Sequence, residues 1–146
     1  VSYAAMRQQY QDFSYVFSQF DRSCFCMVSE NLNFAGNDIS RAPESLANVT
    51  LAYTPEWLSG LRMELEWSHM GDYYTDETNT QQYAGHELFN LRATHDFAKD
   101  LSVYARLSNV TDERYSTYTS NQVGDEDLSY RPGLPRSLFV GVRYRF

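Results

Sequence analysis

The sequence predicts an all-β fold, an antiparallel transmembrane β-barrel to which this chain of 146 residues contributes about six strands. Apolar and polar residues alternate over several short segments, which is the period of a strand with one apolar and one polar face. The connections between these segments are alternately long and short, like the loops and turns at the two ends of an outer-membrane barrel. No run approaches the roughly 18 apolar residues that a transmembrane helix needs.

The first third of the chain alternates poorly. Residues 1–13 predict a strand of mixed quality, because apolar side chains fall on both of its faces. Residues 14–43 show no sustained period and predict a long loop.

Two cysteines, Cys24 and Cys26, lie in this predicted loop. A strand would direct their side chains to opposite faces, and a bridge between residues so close would be strained, so we do not expect a disulfide within the pair. Ordinary loop thiols, or a bond to a cysteine elsewhere in a longer protein, remain open. Two thiols alone make an incomplete zinc site.

The middle of the chain alternates cleanly, and the sequence predicts strands over residues 45–54, 61–74, 89–97 and 101–108. Short turns are predicted between the first two of these strands and between the last two. Residues 75–84 and 117–134 are predicted as long loops, because they are polar or rich in glycine and proline.

The last strand is predicted over residues 136–146 and has one apolar and one cationic face. In a soluble sheet such an exposed final strand would invite edge pairing, whereas in a membrane barrel it is the expected closing strand. Aromatic residues gather at both ends of the predicted sheet, as interfacial belts do: Tyr73, Tyr74, Tyr115, Tyr118 and Tyr130 at the long-loop end, and Tyr53, Trp57, Phe97 and Phe146 at the other.

Strand parity assigns the two faces of the sheet. Apolar residues of one parity are expected to face lipid: Leu65, Leu91, Val103, Leu107, Val140 and Val142. Charged residues of the other parity are expected to face the lumen: Arg62, Glu64, Glu66, Arg92, Asp96, Arg106, Arg143 and Arg145.

A hairpin closed with Tyr73 opposite Gly85 would set Arg62 opposite Asp96 and Glu66 opposite Arg92, so that opposite charges meet. In this register Glu66 is the residue that neutralises the cluster around Arg92.

The second register prediction comes from the short turn at residues 98–100. That turn would place Thr94 opposite Tyr104 and Arg92 opposite Arg106.

Several function classes fit the sequence poorly. The formal net charge of -7 argues against nucleic-acid binding. The histidines His69, His86 and His95 share no metal-ligand spacing, and no Gly-x-Ser-x-Gly elbow supports the alternative of an outer-membrane esterase or phospholipase. No cofactor is expected. Acidic loop residues are interpreted as a solvated rim, with divalent cations that bridge lipopolysaccharide as the alternative: Asp72, Asp76, Glu77, Asp125, Glu126 and Asp127.

Several short motifs resemble the C-terminal part of the TonB-dependent outer-membrane receptors, and their order and spacing carry the resemblance more than any one of them. They are Asn109 to Tyr115, then Pro132 to Arg136 before an alternating strand that ends in Phe146; Gly36-Asn37 with Arg41 to Pro43; Tyr73 to Asp76 with Asn79; and Gly85 before Leu88 to Arg92.

The resemblance implies an active-transport receptor in the outer membrane of a Gram-negative bacterium, with a chelated nutrient, by default a ferric siderophore, as its ligand. It implies a plug domain within a barrel of roughly 22 strands and a TonB complex that supplies energy. Residues 1–146 then form the last quarter of the barrel, without the plug or the TonB box, and the start at Val1 without an initiator Met also indicates a fragment. Further partners are lipid, lipopolysaccharide, the missing strands, and the assembly machinery, which would recognise Val142, Tyr144 and Phe146. A small complete barrel, a pore or structural protein, is the alternative.

Overall fold

The computed structural model describes residues 1–121 and 127–146 and shows an all-β, antiparallel fold, as predicted. None of the described residues belongs to a helix long and apolar enough to cross a bilayer. The strands within the described residues are β1 Ser2–Ala5, β2 Ser14–Asp21, β3 Cys26–Asn33, β4 Ser45–Tyr53, β5 Leu61–Met70, β6 Tyr73–Tyr74, β7 Gln82–Tyr83, β8 His86–Ala98, β9 Leu101–Ser108, β10 Ser116–Ser120, β11 Ser129–Pro132 and β12 Ser137–Tyr144.

Six of these strands form one open sheet in the order β1-β4-β5-β8-β9-β12, so that β1 and β12 are its two edges. Short turns join β4 to β5 and β8 to β9 at one end. Each of the three connections at the other end contains a two-stranded ribbon, namely β2–β3, β6–β7 and β10–β11. The predicted asymmetry between a turn end and a long-loop end is therefore present.

The first predicted strand is shorter in the structure. It ends at Ala5, and the chain beyond it bonds to the segment that precedes β4. The N–H of Met6 donates to Glu44 O at 2.9 Å, and the N–H of Ile39 donates to Gln8 O at 3.0 Å.

Two predicted loops contain hairpins that were not predicted from the sequence. Residues 14–43 hold the β2–β3 hairpin, and residues 117–134 overlap the β10–β11 ribbon. Most residues of β2 and β3 are exposed on both sides, so neither face had to be apolar and no two-residue hydrophobic period arose.

The prediction for the cysteines is wrong, because Cys24 and Cys26 form a disulfide with their Cα atoms 5.2 Å apart. The prediction assumed an extended strand, but Cys24 lies in the turn between β2 and β3. Phe25 between them has a φ of 54°. In this left-handed conformation the chain reverses, and the two side chains are no longer on opposite faces.

A pair of glycines marks the passage from the sheet to the β6–β7 ribbon. The β5–β8 ladder ends with Met70 opposite His86, and the ribbon resumes with Tyr73 opposite Tyr83, so Gly71 and Gly85 lie at the junction. Gly85 has a φ of +77°, and a Cβ there would lie 2.2 Å from the carbonyl oxygen of Met70. Only glycine allows the backbones to approach this closely.

We expect Gly85→Ala to lower the free energy of unfolding by about 1–3 kcal/mol or more, because it adds a steric clash to an unfavourable φ. Gly36→Ala is the matched control, since Gly36 has a φ of +92° but nothing within 4 Å of its Cβ position, and should show only the backbone cost. Urea unfolding of the refolded receptor, followed by tryptophan fluorescence, measures both. Equal losses for the two variants would contradict the close approach at Gly85.

Candidate functional site

The polar side chains of neighbouring strands line up on one face of the main sheet. Arg92 of β8 lies opposite Glu64 of β5 and opposite Arg106 of β9. One row along, Thr50 of β4 lies opposite Glu66. Residues of the predicted polar parity therefore lie on the same side of these four strands. Together they form a continuous charged surface, which we call the polar face.

The register between β5 and β8 differs by two residues from the predicted one. Arg62 lies opposite Thr94 and not Asp96, while Glu66 lies opposite Asn90 and not Arg92. The prediction closed the hairpin between Tyr73 and Gly85, but the ribbon pairs Tyr73 with Tyr83 and so extends the ladder beyond the main sheet.

The register between β8 and β9 is confirmed. Thr94 lies opposite Tyr104 and Arg92 opposite Arg106. The turn between these strands is short enough to fix the pairing, although a β-bulge lies between Asp96 and Ala98.

Glu64 is the acidic residue that neutralises the cluster, the role predicted for Glu66. One of its carboxylate oxygens accepts from Arg62, with the guanidinium Nη2 at 2.8 Å, and the other lies 3.3 Å from Nη1 of Arg92. Glu66 accepts from Asn48 at 3.2 Å and from Asn90 at 3.4 Å. Its contacts are therefore to neutral amides.

The opposite face of the sheet is apolar, and it carries a row of leucines that crosses five strands. Each member lies opposite the next in the ladder: Leu51, Leu65, Leu91, Leu107 and Leu138. Leu51 is 61% and Leu138 66% exposed, so the row is not covered by other parts of the chain. His95 lies on this face, opposite Leu61 and Val103. The structure thus shows two chemically distinct faces.

Among the described residues, the buried ones lie mostly outside the main sheet, where the ribbons pack together. Thr75 is buried beside β6, and its hydroxyl lies 2.6 Å from Oδ1 of Asn121. The N–H of Thr119 donates to the hydroxyl of Tyr73 at 3.1 Å, and the N–H of Ser116 donates to the hydroxyl of Tyr83 at 3.0 Å. Partial burial raises the pKa of Tyr83. Tyr73 therefore lies in the interior of the packed ribbons and not in an aromatic belt at the membrane interface, where it was predicted.

The segment before β4 packs against the same ribbons. Asn79 and Asp38 exchange two hydrogen bonds: the N–H of Asp38 donates to Oδ1 of Asn79 at 2.6 Å, and Nδ2 of Asn79 donates to the carbonyl of Asp38 at 2.9 Å. Arg41 forms an ion pair with Glu77 at 2.9 Å and donates to the hydroxyl of Tyr118 at 3.1 Å. Hydrogen bonds with Ser120 and Arg41 lower the pKa of Tyr118. The long connections therefore form one packed layer at this end of the sheet.

The motif residues of the last connection build a joint between the end of β9 and the start of β12. Asn109 is buried, and its amide donates to the carbonyls of Glu113 at 2.9 Å and Leu134 at 3.1 Å. The N–H of Arg136 donates to Oδ1 of Asp112 at 2.9 Å. These residues satisfy backbone groups where the chain leaves the ladder, so their role here is structural.

The described residues contain no group of three or more His, Cys, Asp or Glu side chains placed to hold a metal ion. Ser45 and Glu87 flank His69, with Oγ to Nε2 at 3.2 Å and Nδ1 to Oε1 at 3.5 Å. Nδ1 of His69 has no hydrogen-bond partner, so the acidic residue does not orient the ring as a hydrolytic triad requires.

Among the acidic residues of the predicted rim, Asp125 and Glu126 lie outside the described residues.

The charged residues predicted for the lumen lie on β5, β8, β9 and β12 or directly after β12. The three residues of the predicted assembly signal end the chain: Val142 and Tyr144 lie in β12, and Phe146 follows it with its ring centroid 6.0 Å from that of Tyr144. The buried polar layer was not predicted from the sequence, because its residues come from three connections far apart in the chain.

The two-faced antiparallel sheet, with turns at one end and packed hairpins at the other, has the architecture of an outer-membrane β-barrel segment. A family model described as "TonB dependent receptor-like, beta-barrel" matches residues 2–110, well over half of the chain. The chain therefore belongs to this family, whose members are proteins of the Gram-negative outer membrane. None of the curated proteins matches its sequence.

Solved structures share the fold at low sequence identity. The siderophore receptor PiuA from Acinetobacter baumannii is 16% identical, with a TM-score of 0.67 over 81% of this chain and 18% of that one. The ferric yersiniabactin uptake receptor FyuA from Yersinia pestis is 16% identical, with a TM-score of 0.63 over 82% and 20%. The ferric citrate transporter FecA, in its unliganded form, is 20% identical, with a TM-score of 0.63 over 80% and 19%. The chain thus spans about one fifth of the length of these proteins.

The register of the polar face can be tested by cross-linking. We expect Glu64→Cys with Arg92→Cys to form a disulfide on mild oxidation in the membrane, because directly opposed Cβ atoms lie about 4.5–5.5 Å apart. The control pair, Glu66→Cys with Arg92→Cys, is diagonal, at roughly 7–8 Å between Cα atoms, and should cross-link far less. Digestion and mass spectrometry identify the products, and preferential linkage of the control pair would restore the predicted register.

Proposed function

We propose that this chain is the C-terminal part of the barrel of an outer-membrane receptor that actively imports a chelated nutrient, a ferric siderophore. The observation that carries the proposal is the six-stranded sheet with one charged and one apolar face, in a chain that belongs to the TonB-dependent receptor family. The three similar structures are named as a siderophore receptor, a ferric yersiniabactin uptake receptor and a ferric citrate transporter, and all three names concern iron chelates or their carriers.

In this proposal the apolar face contacts lipid and the polar face lines the lumen. The leucine row places an apolar side chain on each of five strands of the main sheet, namely β4, β5, β8, β9 and β12. We expect the eight charged residues predicted for the lumen to lie on the side of the polar face, because they would be costly to place against hydrocarbon. They are Arg62, Glu64, Glu66, Arg92, Asp96, Arg106, Arg143 and Arg145.

The proposed partners follow from the same arrangement. The open edges at β1 and β12 would pair with other strands of the receptor, and a plug domain would cover the polar face. A TonB complex would supply energy, and lipopolysaccharide would surround the outer end of the sheet. Transport, and not catalysis, is the proposed role. A small complete pore is the weaker alternative, because single-chain bacterial barrels have at least about eight strands and the described residues form a sheet of six.

Uptake assays test the ligand. Cells that produce the complete receptor should accumulate labelled iron from a ferric siderophore in a manner that requires TonB. Haem and cobalamin, offered under the same conditions, are the comparison ligands. Uptake of one of these in place of every ferric siderophore tested would overturn the proposed ligand but not the receptor class, whereas uptake that persists without TonB would overturn active transport.

The facing of the sheet makes a prediction for single arginine substitutions. Leu91→Arg should destabilise the barrel by roughly 2–4 kcal/mol if the residue lies at mid-bilayer, since it places a charge against lipid. Ser102→Arg on the neighbouring strand is the control, because Ser102 has the polar parity and should tolerate the charge. Unfolding titrations in lipid vesicles measure both variants, and equal losses would contradict the assignment of the faces.

A second substitution concerns assembly. We expect deletion of Phe146 to reduce the amount of receptor in the outer membrane and to leave periplasmic aggregates, because the last strand must present aromatic groups while it pairs. Immunoblots of separated membrane and periplasmic fractions provide the measurement. A normal level in the outer membrane, with only a small loss of stability, would show that Phe146 is an ordinary packed residue.

A further inference from the structure

A cleft of about 380 Å³ lies in the layer of packed hairpins, at the base of the β2–β3 hairpin. Its lining comes from all three long connections: four aromatic residues and Arg41 from the first, Glu77 from the second and Asn121 from the third. This volume lies within the roughly 300–1,000 Å³ range of small-molecule sites. The cleft is at the long-loop end of the sheet, which in the proposed orientation is the outer end of the barrel. A solute outside the cell can therefore reach it.

One wall of the cleft is aromatic. Phe13 directly precedes β2, and Tyr15 and Phe17 follow it at alternate positions, so the three side chains lie on one face of the strand. Phe13 is held between two other rings, with its centroid 4.9 Å from that of Tyr10 and 5.6 Å from that of Phe34, which is buried. Tyr15 is 50% exposed. The wall thus offers a flat group a surface on which to stack.

The remaining lining residues are polar and include an ion pair. Nη2 of Arg41 donates to Oε1 of Glu77 at 2.9 Å, and Nη1 donates to the hydroxyl of Tyr118 at 3.1 Å. A guanidinium has five N–H groups, and the other three have no partner among the described residues. Oε1 of Glu77 also accepts from the hydroxyl of Ser40 at 3.0 Å, whereas Oε2 accepts nothing in this part of the chain. The pair therefore offers donors and an acceptor side by side without a net charge.

These features favour one chemical class of ligand. A hydroxylated aromatic ring would stack on the aromatic wall, and its oxygen atoms would accept from Arg41 whether they carry a proton or bind iron. A protonated oxygen would also donate to Glu77. Aliphatic hydroxamate chelators present no flat ring to the wall. Citrate-like chelators bring free carboxylates, which the neutral ion pair does not attract and which the carboxylate of Glu77 repels.

We propose that this cleft binds a phenol or catechol ring, and that the imported siderophore is a chelator whose iron-binding arms carry such rings. The inference rests on the proposed import of a ferric siderophore and narrows the chemical class of that ligand. Tyr15 and Arg41 are then the residues that determine specificity, while Glu77 holds the guanidinium in place.

Binding of two labelled ferric chelates to the complete receptor in detergent micelles tests the class. A ferric tris-catecholate should bind, and a ferric trihydroxamate should not. Tyr15→Ala should weaken catecholate binding about tenfold because it removes a stacking ring, and Tyr15→Phe should retain it. Val16→Ala is the matched control, since Val16 is 59% exposed but lies on the other face of β2. Equal affinities of Tyr15→Ala and Val16→Ala for the tris-catecholate would overturn the proposal.

The isolated ring separates this inference from the proposed import. Saturation-transfer NMR should show 2,3-dihydroxybenzamide, a neutral catechol, binding to the unchanged receptor and to Val16→Ala, but much less to Tyr15→Ala. A receptor that binds the trihydroxamate but neither the ring nor the tris-catecholate would overturn the inference and leave the proposed import intact. A receptor that binds the ring but no ferric chelate would support the cleft as a ring site and overturn the proposed import together with its narrower class.

A charge-changing variant tests the polar end of the cleft. Glu77→Gln keeps the size of the side chain but leaves the charge of Arg41 uncompensated, so it should raise the affinity for benzoate several-fold relative to that for 2,3-dihydroxybenzamide. Glu56→Gln, in the turn at the opposite end of the sheet, is the control and should leave this ratio unchanged. The variants are compared at equal amounts of receptor recovered from the outer membrane. An unchanged ratio in Glu77→Gln would contradict the placement of the ligand beside the ion pair.

Discussion

The rest of the structure depends on the continuous ladder of backbone hydrogen bonds in the main sheet. The hydrocarbon core of a bilayer offers no water to unpaired N–H and C=O groups, so strands can cross it only when each is paired on both sides. The four inner strands β4, β5, β8 and β9 meet this condition within the chain. The edge strands β1 and β12 each have one partner here, and in a barrel each needs a second. The two-faced pattern of the sequence is a consequence of this geometry, because paired strands present alternate side chains to opposite sides.

The chain leaves the main sheet in different ways at different places on the long-loop side. At the β5–β8 hairpin, Gly71 and Gly85 let two backbones approach and change direction, so that pairing continues into the β6–β7 ribbon. At the end of β9, Asn109 uses its side-chain amide to satisfy carbonyl groups that the ladder no longer pairs. Beyond these points a layer of buried polar residues replaces the alternating faces. This layer is held by specific hydrogen bonds more than by apolar packing, as the reciprocal pair of Asp38 and Asn79 illustrates.

The sequence predicted those parts of the fold that a local pattern determines. Five strands of the main sheet follow from alternation, and the β8–β9 register follows from a short turn, which is why Arg92 and Arg106 were placed correctly. The β5–β8 register was not predictable in the same way, because its closing loop hides two further ladder pairs, Tyr73 with Tyr83 and Tyr74 with Gln82. The β2–β3 hairpin and the Cys24–Cys26 disulfide were missed since an exposed hairpin needs no apolar face and a left-handed residue at Phe25 leaves no periodic signal. Asp76 illustrates the same limit in the buried polar layer, since Asn121, which donates to its carboxylate, lies 45 residues further along the chain.

The central claim is that this sheet spans the outer membrane with its apolar face toward lipid and its polar face toward the lumen. Spin labels placed singly along β8 from Leu88 to Asp96, in the complete receptor reconstituted in lipid, test it most directly. Collisions of the label with oxygen should be most frequent at the odd-numbered positions. Collisions with a water-soluble nickel complex should be most frequent at the even-numbered positions, unless a plug covers that face and blocks them. A two-residue period with oxygen maxima at the odd positions is the predicted result. Uniform access of the nickel complex to both parities, or oxygen maxima at the even positions, would contradict the account.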